Sequence, residues 1–460
     1  MSATDIMTYL DAHQQEHIER TRTFIRQPSI SADGTGIAAM ADLVAETIRE
    51  IGGESEIVPT EGHPVVAGRL EVGAPRTLLF YGMYDVQPVE GEAWTVPPFA
   101  GEVVDLPGCG LSMVARGVFN SKGPMSGFLN VLRAYRALGQ DPPVNVVFMV
   151  EGEEELGSRN LRAFVESHRD RLRADAAYFA FYGQDARGIP AIYLGVKGIA
   201  FLELICCGGE WGGPQSRMIH GSNAVWIGSP TWRLLQALVS MMGRDEQILV
   251  EGFYDDVIPL GADEEHLLER LTEVFDEREI LSQNDVRRFK LEGHGETLLR
   301  NYLSLPTLNI DGMVSGWVGP GSKTVLPHEA RARVDVRLVP RMEIDSTLKR
   351  MREHLDGLGY TDIEIDLWQA YPWAQTPWRS PVVQALEGAI RDQGVNPYTW
   401  PRIAGSAPMY LFSDVLGMPF VMGGLGHGGR AHSPNEYATI EGMRLFERSV
   451  AGFLERFAKG

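Results

Sequence analysis

Cysteine is scarce: Cys109, Cys206 and Cys207 are the three in 460 residues. An odd count with one adjacent pair builds no disulfide framework, and it points to a reducing, cytoplasmic setting. Long apolar runs are missing too. None approaches the roughly 18 residues that span a bilayer, and the polar, acidic start of the chain does not read as a secretory signal. Positive charge is short, since 42 Lys and Arg against 61 Asp and Glu leave a net charge of −19. That balance argues against nucleic acid or an anionic membrane as partner. Internal repeats and biased tracts are absent. What remains is a composition of 44% apolar and 22% charged residues, as in soluble globular proteins, in a chain long enough for two domains.

Periodicity divides the chain. Residues 5–27 and 36–52 carry apolar positions at helical spacing. Short β-rich runs follow at Ser55–Pro59, Val65–Leu70 and Thr77–Tyr81, then a helix over Gly123–Leu138. Val144–Val150 and Ala176–Phe181 are nearly continuous apolar runs, the pattern of strands buried on both faces, with a helix around Gly157–Ser167 between them. This alternation predicts an α/β fold, a mixed sheet flanked by helices. From Gly198 the pattern changes. Strands at Ala200–Ile205, within Gly312–Arg337 and at Ile363–Trp368, with helices at Ser229–Met242 and Asp345–Leu358, read as an inserted α+β domain. The division is therefore 1–197, an insert at 198–370, and 371–460 returning to the first domain. Cys206 and Cys207 read as core of the insert.

Four short motifs carry chemistry. They are Tyr81-Gly-Met-Tyr-Asp-Val-Gln87, Ala115-Arg-Gly-Val-Phe-Asn-Ser-Lys-Gly123, Glu151-Gly-Glu-Glu-Glu-Leu-Gly-Ser158 and Ala431-His-Ser-Pro-Asn-Glu436. Three candidate positions follow the carboxyl ends of predicted strands, where open α/β sheets bind ligands. Clustered carboxylates raise one another's pKa unless a cation or a donor offsets them. Glu151 and Glu153 read equally well as solvated.

In order and spacing these motifs resemble the di-zinc metallopeptidase family of carnosine dipeptidases, aminoacylases, acetylornithine deacetylase and carboxypeptidase G. The resemblance covers nearly the whole chain. It implies a hydrolase-like catalytic domain with an inserted lid and dimerisation domain. It also implies Glu154 as general base and Glu155 and His432 as ligands of one metal, with Asp85 orienting a metal-bound histidine. Here Met83 stands where that histidine belongs. Asn120 replaces the bridging carboxylate, and Phe181 replaces an aspartate of the other metal. A thioether and a phenyl ring do not serve a divalent ion of zinc's kind. The expectation is one metal ion, zinc or manganese, held by Glu155, His432 and Asn120, or none. Met83 and Phe181 would then line an apolar part of the substrate site. Asp185 and His427 are alternative ligands by position, and each reads as well as a structural residue.

The resemblance extends to the substrate side. Arg337 matches an arginine that grips a substrate carboxylate, a task that suits its planar fork. Arg402 and Ser406 match a loop beside the substrate. His220 matches a histidine that reaches the partner subunit's site and stabilises the oxyanion, which implies a homodimer. Three functions follow. The first is a hydrolase of an amide or peptide bond in a small carboxylate-bearing substrate, such as a dipeptide or N-acyl amino acid. The second is a metal-independent amidase, deaminase or isomerase using Glu154, and the third is a non-catalytic binding protein.

Overall fold

The computed structural model describes residues 3–290 and 292–460. The strands used below are β1 (Glu54–Val58), β2 (Val65–Leu70), β3 (Thr77–Met83), β4 (Glu102–Leu106), β5 (Gly110–Val114), β6 (Asn145–Glu151), β7 (Ala176–Ala180), β8 (Ala191–Tyr193), β9 (Gly198–Cys207), β10 (Thr307–Ser315), β11 (Glu329–Leu338), β12 (Ile363–Tyr371), β13 (Tyr398–Trp400), β14 (Phe420–Gly423), β15 (Gly428–Gly429) and β16 (Tyr437–Thr439). The helices are α1 (Gln14–Arg26), α2 (Ile37–Glu50), α3 (Lys122–Ala137), α4 (Pro230–Met241), α5 (Ala262–Thr272), α6 (Glu296–Ser304), α7 (Ile344–Gly357), α8 (Pro381–Asp392) and α9 (Ile440–Phe457).

The main sheet has eight strands in the order β1-β2-β6-β3-β7-β14-β8-β13. Its centre, β6-β3-β7-β14, is parallel. All seven residues of β6 are buried, because helices cover both sheet faces and leave no side for polar residues. One layer is formed by α1, α2, α3, α8 and α9. The other face packs Phe164, Met409 and Phe412 against Tyr81 and Met149.

A second sheet, β10-β11-β9-β12, is wholly antiparallel. Val334, Val336 and Leu338 of β11 enter the core under α4 and α7. Period-2 alternation sends Asp335 and Arg337 to the opposite face. Helices α5 and α6 do not join that core. Their leucines Leu268, Leu271, Leu299 and Leu303 pack with Tyr398 and Trp400 of β13, at the edge of the main sheet.

Two details of the sequence reading change. The predicted helix over 5–27 breaks at His13 into Ala3–Ala12 and α1. Cys206 is buried, but Cys207 at the end of β9 is exposed, because alternation turns it outward. Among the described residues, no helix is long and apolar enough to cross a membrane.

Candidate active site

The carboxyl ends of β6, β3 and β7 lie side by side, and each delivers a motif. The register pairs Met83 with Glu151 and Tyr81 with Phe179, so Met83 and Phe181 leave the ends of adjacent strands. Met83 is buried. Phe181 is half-buried, with its ring 6.1 Å from Phe179 and 5.6 Å from Tyr193. One half of the centre is therefore apolar and aromatic.

The other half is polar and closed on itself. Asn120 Nδ2 donates to Glu155 Oε1 at 2.8 Å and lies 3.2 Å from His432 Nε2. His432 Nε2 is 3.0 Å from Glu155 Oε2. Gln87 Nε2 also donates to Glu155 Oε2, at 2.9 Å. The Glu155 side chain is 4% exposed and that of His432 54%. The hydrogen bond from Glu155 raises the pKa of His432, against a smaller opposing effect of burial.

Glu154 is the free carboxyl of the cluster: among the described residues no donor holds it. Burial, then the charges of Glu155, Asp85 and Glu151, push its pKa well above the usual carboxylate value. Glu151 and Glu153 are not solvated. Tyr81 Oη and Ser158 Oγ donate to Glu151 at 2.5 and 2.8 Å, and burial pushes its pKa up to about 8. Asn160 donates to Glu153 at 2.8 Å.

Asp85 does a different job from the one its motif suggests, since no histidine stands at residue 83 for it to orient. Its carboxylate accepts the backbone N–H groups of Glu154 at 3.2 Å and Glu155 at 3.0 Å. It thereby fixes the turn that presents both glutamates. Burial raises its pKa to about 7.

The loops bearing Asn120 and His432 start side by side, because β16 pairs with β5, Tyr437 opposite Val114. Glu436 then ties them together. Its Oε1 accepts from the N–H groups of Phe119 and Asn120, and its Oε2 from Gly117 N–H and Arg116. Gly117 reaches this position at φ +83, a left-handed value natural only to glycine. Arg430, His432 and Asn435 also lie in the left-handed region, at φ +60, +56 and +60. Such conformations cost of order 1 kcal/mol or more each for residues with a Cβ, and they concentrate at functional sites. The sequence reading assigned no role to Glu436 or Gln87, although both stand inside quoted motifs.

On the insert, Arg337 Nε binds Asp335 at 2.9 Å and Nη1 donates to Ser406 Oγ at 2.9 Å. Its Nη2 has no partner among the described residues. Arg402 is occupied within the chain. Its buried guanidinium donates to Glu264, to Gln375 Oε1 at 2.9 Å and to the Leu303 carbonyl at 2.8 Å. It is a bolt between loop 402–408 and the segment of α5 and α6. His220 is exposed and bonded to Ser222 at 2.8 Å, and it makes no contact with the Glu155 cluster within this chain. Asp185 closes its own turn by accepting from Arg187 N and Ile189 N. His427 is held between the Gln184 carbonyl and Tyr437 Oη. Neither stands in for a lost ligand.

Among the described residues, no three His, Cys, Asp or Glu side chains gather as a metal site requires. Glu155 and His432 with the Asn120 amide are the available set. Their polar atoms lie close together, with Asn120 and His432 meeting opposite oxygens of the Glu155 carboxylate and each other at 3.2 Å. The amide oxygen faces the others after a flip that leaves the side chain in place. The set offers one imidazole, one carboxylate and one amide oxygen to an ion.

Fold and cleft together define a hydrolase whose carboxylates sit at the ends of parallel strands. The chain belongs to peptidase family M20/M25/M40, which it matches over residues 79–456. It is 28% identical over 380 residues to a Beta-Ala-His dipeptidase of Homo sapiens, covering 77% of this chain and 71% of that one. It is 26% identical over 495 residues to a Cys-Gly metallodipeptidase of Saccharomyces cerevisiae, covering 100% and 98%. Its fold superposes on an M20 family metallo-carboxypeptidase from Sulfolobus solfataricus with a TM-score of 0.88, at 32% identity over 97% of this chain and 100% of that one. The family is one of metal-dependent peptide hydrolases, and the chain is an enzyme of that class.

Proposed function

We propose that the protein hydrolyses the amide bond of a small substrate with a free carboxylate, a dipeptide or N-acyl amino acid, at a centre reduced to one divalent ion. Zinc or manganese suits the donor set of Glu155, His432 and Asn120. When bound, such an ion polarises a carbonyl and acidifies water. The observation that carries this reading is the convergence of those three side chains within 2.8 to 3.2 Å of one another, beside a Glu154 carboxyl that no protein donor holds.

The chain's residues have distinct tasks in this reading. Glu154 takes a proton from the attacking water and returns it to the leaving nitrogen. Asp85 holds Glu154 and Glu155 in place through their backbone N–H groups. Arg337, steadied by Asp335 and Ser406, offers Nη2 to the substrate carboxylate. Met83 and Phe181 present an apolar wall where the family has its second ion, and this favours an apolar group on the substrate. Residues 198–370 act as lid and dimerisation module. Trp232 and Val239 on α4 and Ile310, Met313 and Val314 on the edge strand β10 are exposed, and a homodimer would cover such a surface. His220 would then serve the partner's cleft as an oxyanion donor.

A second reading has one observation in its favour: Met83 and Phe181 offer no ligand to an ion, while Glu154 lies beside Asp85, Glu151 and Glu155 with its pKa well above the usual carboxylate value. A metal-independent enzyme would use Glu154 alone as acid and base. Turnover of a dipeptide library in excess chelator separates the two. Loss of turnover, restored by one equivalent of metal per chain, supports the first. Full turnover that Glu154→Gln abolishes supports the second.

A further inference from the structure

Where the edge of the main sheet meets the insert lies a cavity of about 750 Å3, within the range of roughly 300 to 1,000 Å3 typical of small-molecule sites. Its walls carry the rings of Tyr193, Tyr254, Phe275, Phe289, Tyr302 and Trp400 among aliphatic side chains. They come from the main sheet, from the α5–α6 segment and from the loop after α4. No catalytic carboxylate lines it.

One cation is buried in this apolar wall. Lys197 is 3% exposed. Its Nζ donates to the Leu305 carbonyl at 2.7 Å and lies 5.7 Å from the centre of the Tyr302 ring. An ammonium has three donors, and among the described residues no carboxylate pairs with this one. The carboxylate on the cavity lining, Glu246, is paired with Lys290 at 2.7 Å. Burial, followed by the charges of Arg402 and Arg337, lowers the Lys197 pKa to about 7. A buried ammonium is costly unless it is paired, and what is missing here is an anion.

We propose that this cavity is a second ligand site, taking a small molecule with an aromatic or aliphatic body and one carboxylate that pairs with Lys197. The rings receive the body and Lys197 selects the acid over its uncharged analogue. The site is separate from the hydrolytic cleft and adjoins it through Tyr193, whose ring contacts Phe181 on one side and Trp400 on the other.

The test is calorimetric titration of the full chain at pH 7 with octanoate, decanoate and 4-phenylbutyrate, each against its primary alcohol. The expected result is that at least one acid saturates at one per chain and binds tenfold or more tighter than its alcohol. Lys197→Met should erase that difference and spare alcohol binding. Asn301→Trp, which fills the cavity from α6, should block both, and Glu154→Gln should change neither. Acids binding no better than alcohols, no saturable binding by any acid, a preference that survives Lys197→Met, or binding lost in Glu154→Gln would each overturn the proposal. Should Lys197→Met fail to fold, the wild-type ratio and Asn301→Trp still decide.

Discussion

The two halves of the catalytic centre rest on neighbouring strand ends and have opposite chemistry. Around Glu155 the side chains are polar and mutually bonded: Asn120, His432 and Gln87 converge on one carboxylate, while Glu436 and Asp85 pin the supporting loops through backbone N–H groups. Around Met83 and Phe181 the contacts are apolar and aromatic, and the rings continue through Tyr193 and Trp400 toward the cavity at the insert. On the proposed single-ion reading the scaffold would keep its fold with one ion position fewer, because strand packing and the two loop anchors hold the supporting loops. The lesson is that ligand residues and the residues placing them are separable.

The largest effect should come from removing the proton carrier. Glu154→Gln should lower kcat about 10²- to 10⁴-fold, the range for general acid–base catalysis, with KM nearly unchanged in steady-state assays. Next is an anchor of the polar half. Glu436 uses both oxygens as acceptors, so whichever way Gln is oriented its NH2 faces other donors. Glu436→Gln should therefore cost about 2–4 kcal/mol in denaturant unfolding and weaken metal binding, although residue 436 touches no metal. Met83→Leu, which keeps an apolar side chain of similar volume at this buried position, should do neither. Arg337→Met should raise KM for carboxylate substrates by about 10- to 100-fold with little change in kcat, the pattern of lost ground-state binding.

The last comparison probes Lys197, a buried cation on the wall of the apolar cavity. The folded pKa of Lys197, about 7, lies below its ordinary value of 10.5. Between those limits the unfolded chain holds more protons than the folded one, so stability rises with pH. The wild type should gain stability from pH 7 to 10 relative to Lys197→Met by at most about 1.4 kcal/mol per pH unit. A flat difference would show that Lys197 keeps its proton in the folded chain over this range.

The sequence announced what local pattern encodes. Strands β3, β6 and β7 were readable because burial on both faces leaves continuous apolar runs, and the motifs follow their ends. Met83, Asn120 and Phe181 stood out because the motif residues around them match the family, and the strand register sets Met83 and Phe181 at adjacent strand ends. The partners of Arg402 were not readable, since Leu303 and Glu264 lie 99 and 138 residues earlier, in a segment that folds onto the sheet edge. Glu436 escaped notice because its partners are backbone amides, which carry no sequence signature. Asp85 kept its identity in the motif while its observed task became holding the glutamate turn. The cavity around Lys197 draws on four separated segments and left no local trace.

The most direct test is metal content per chain after reconstitution with zinc or manganese, read by elemental analysis in the wild type and in Met83→His/Asn120→Asp/Phe181→Asp. The account predicts one ion in the wild type, lost with Glu155→Gln or His432→Ala, and two in the triple variant. Two ions in the wild type, or none with turnover intact, would contradict it.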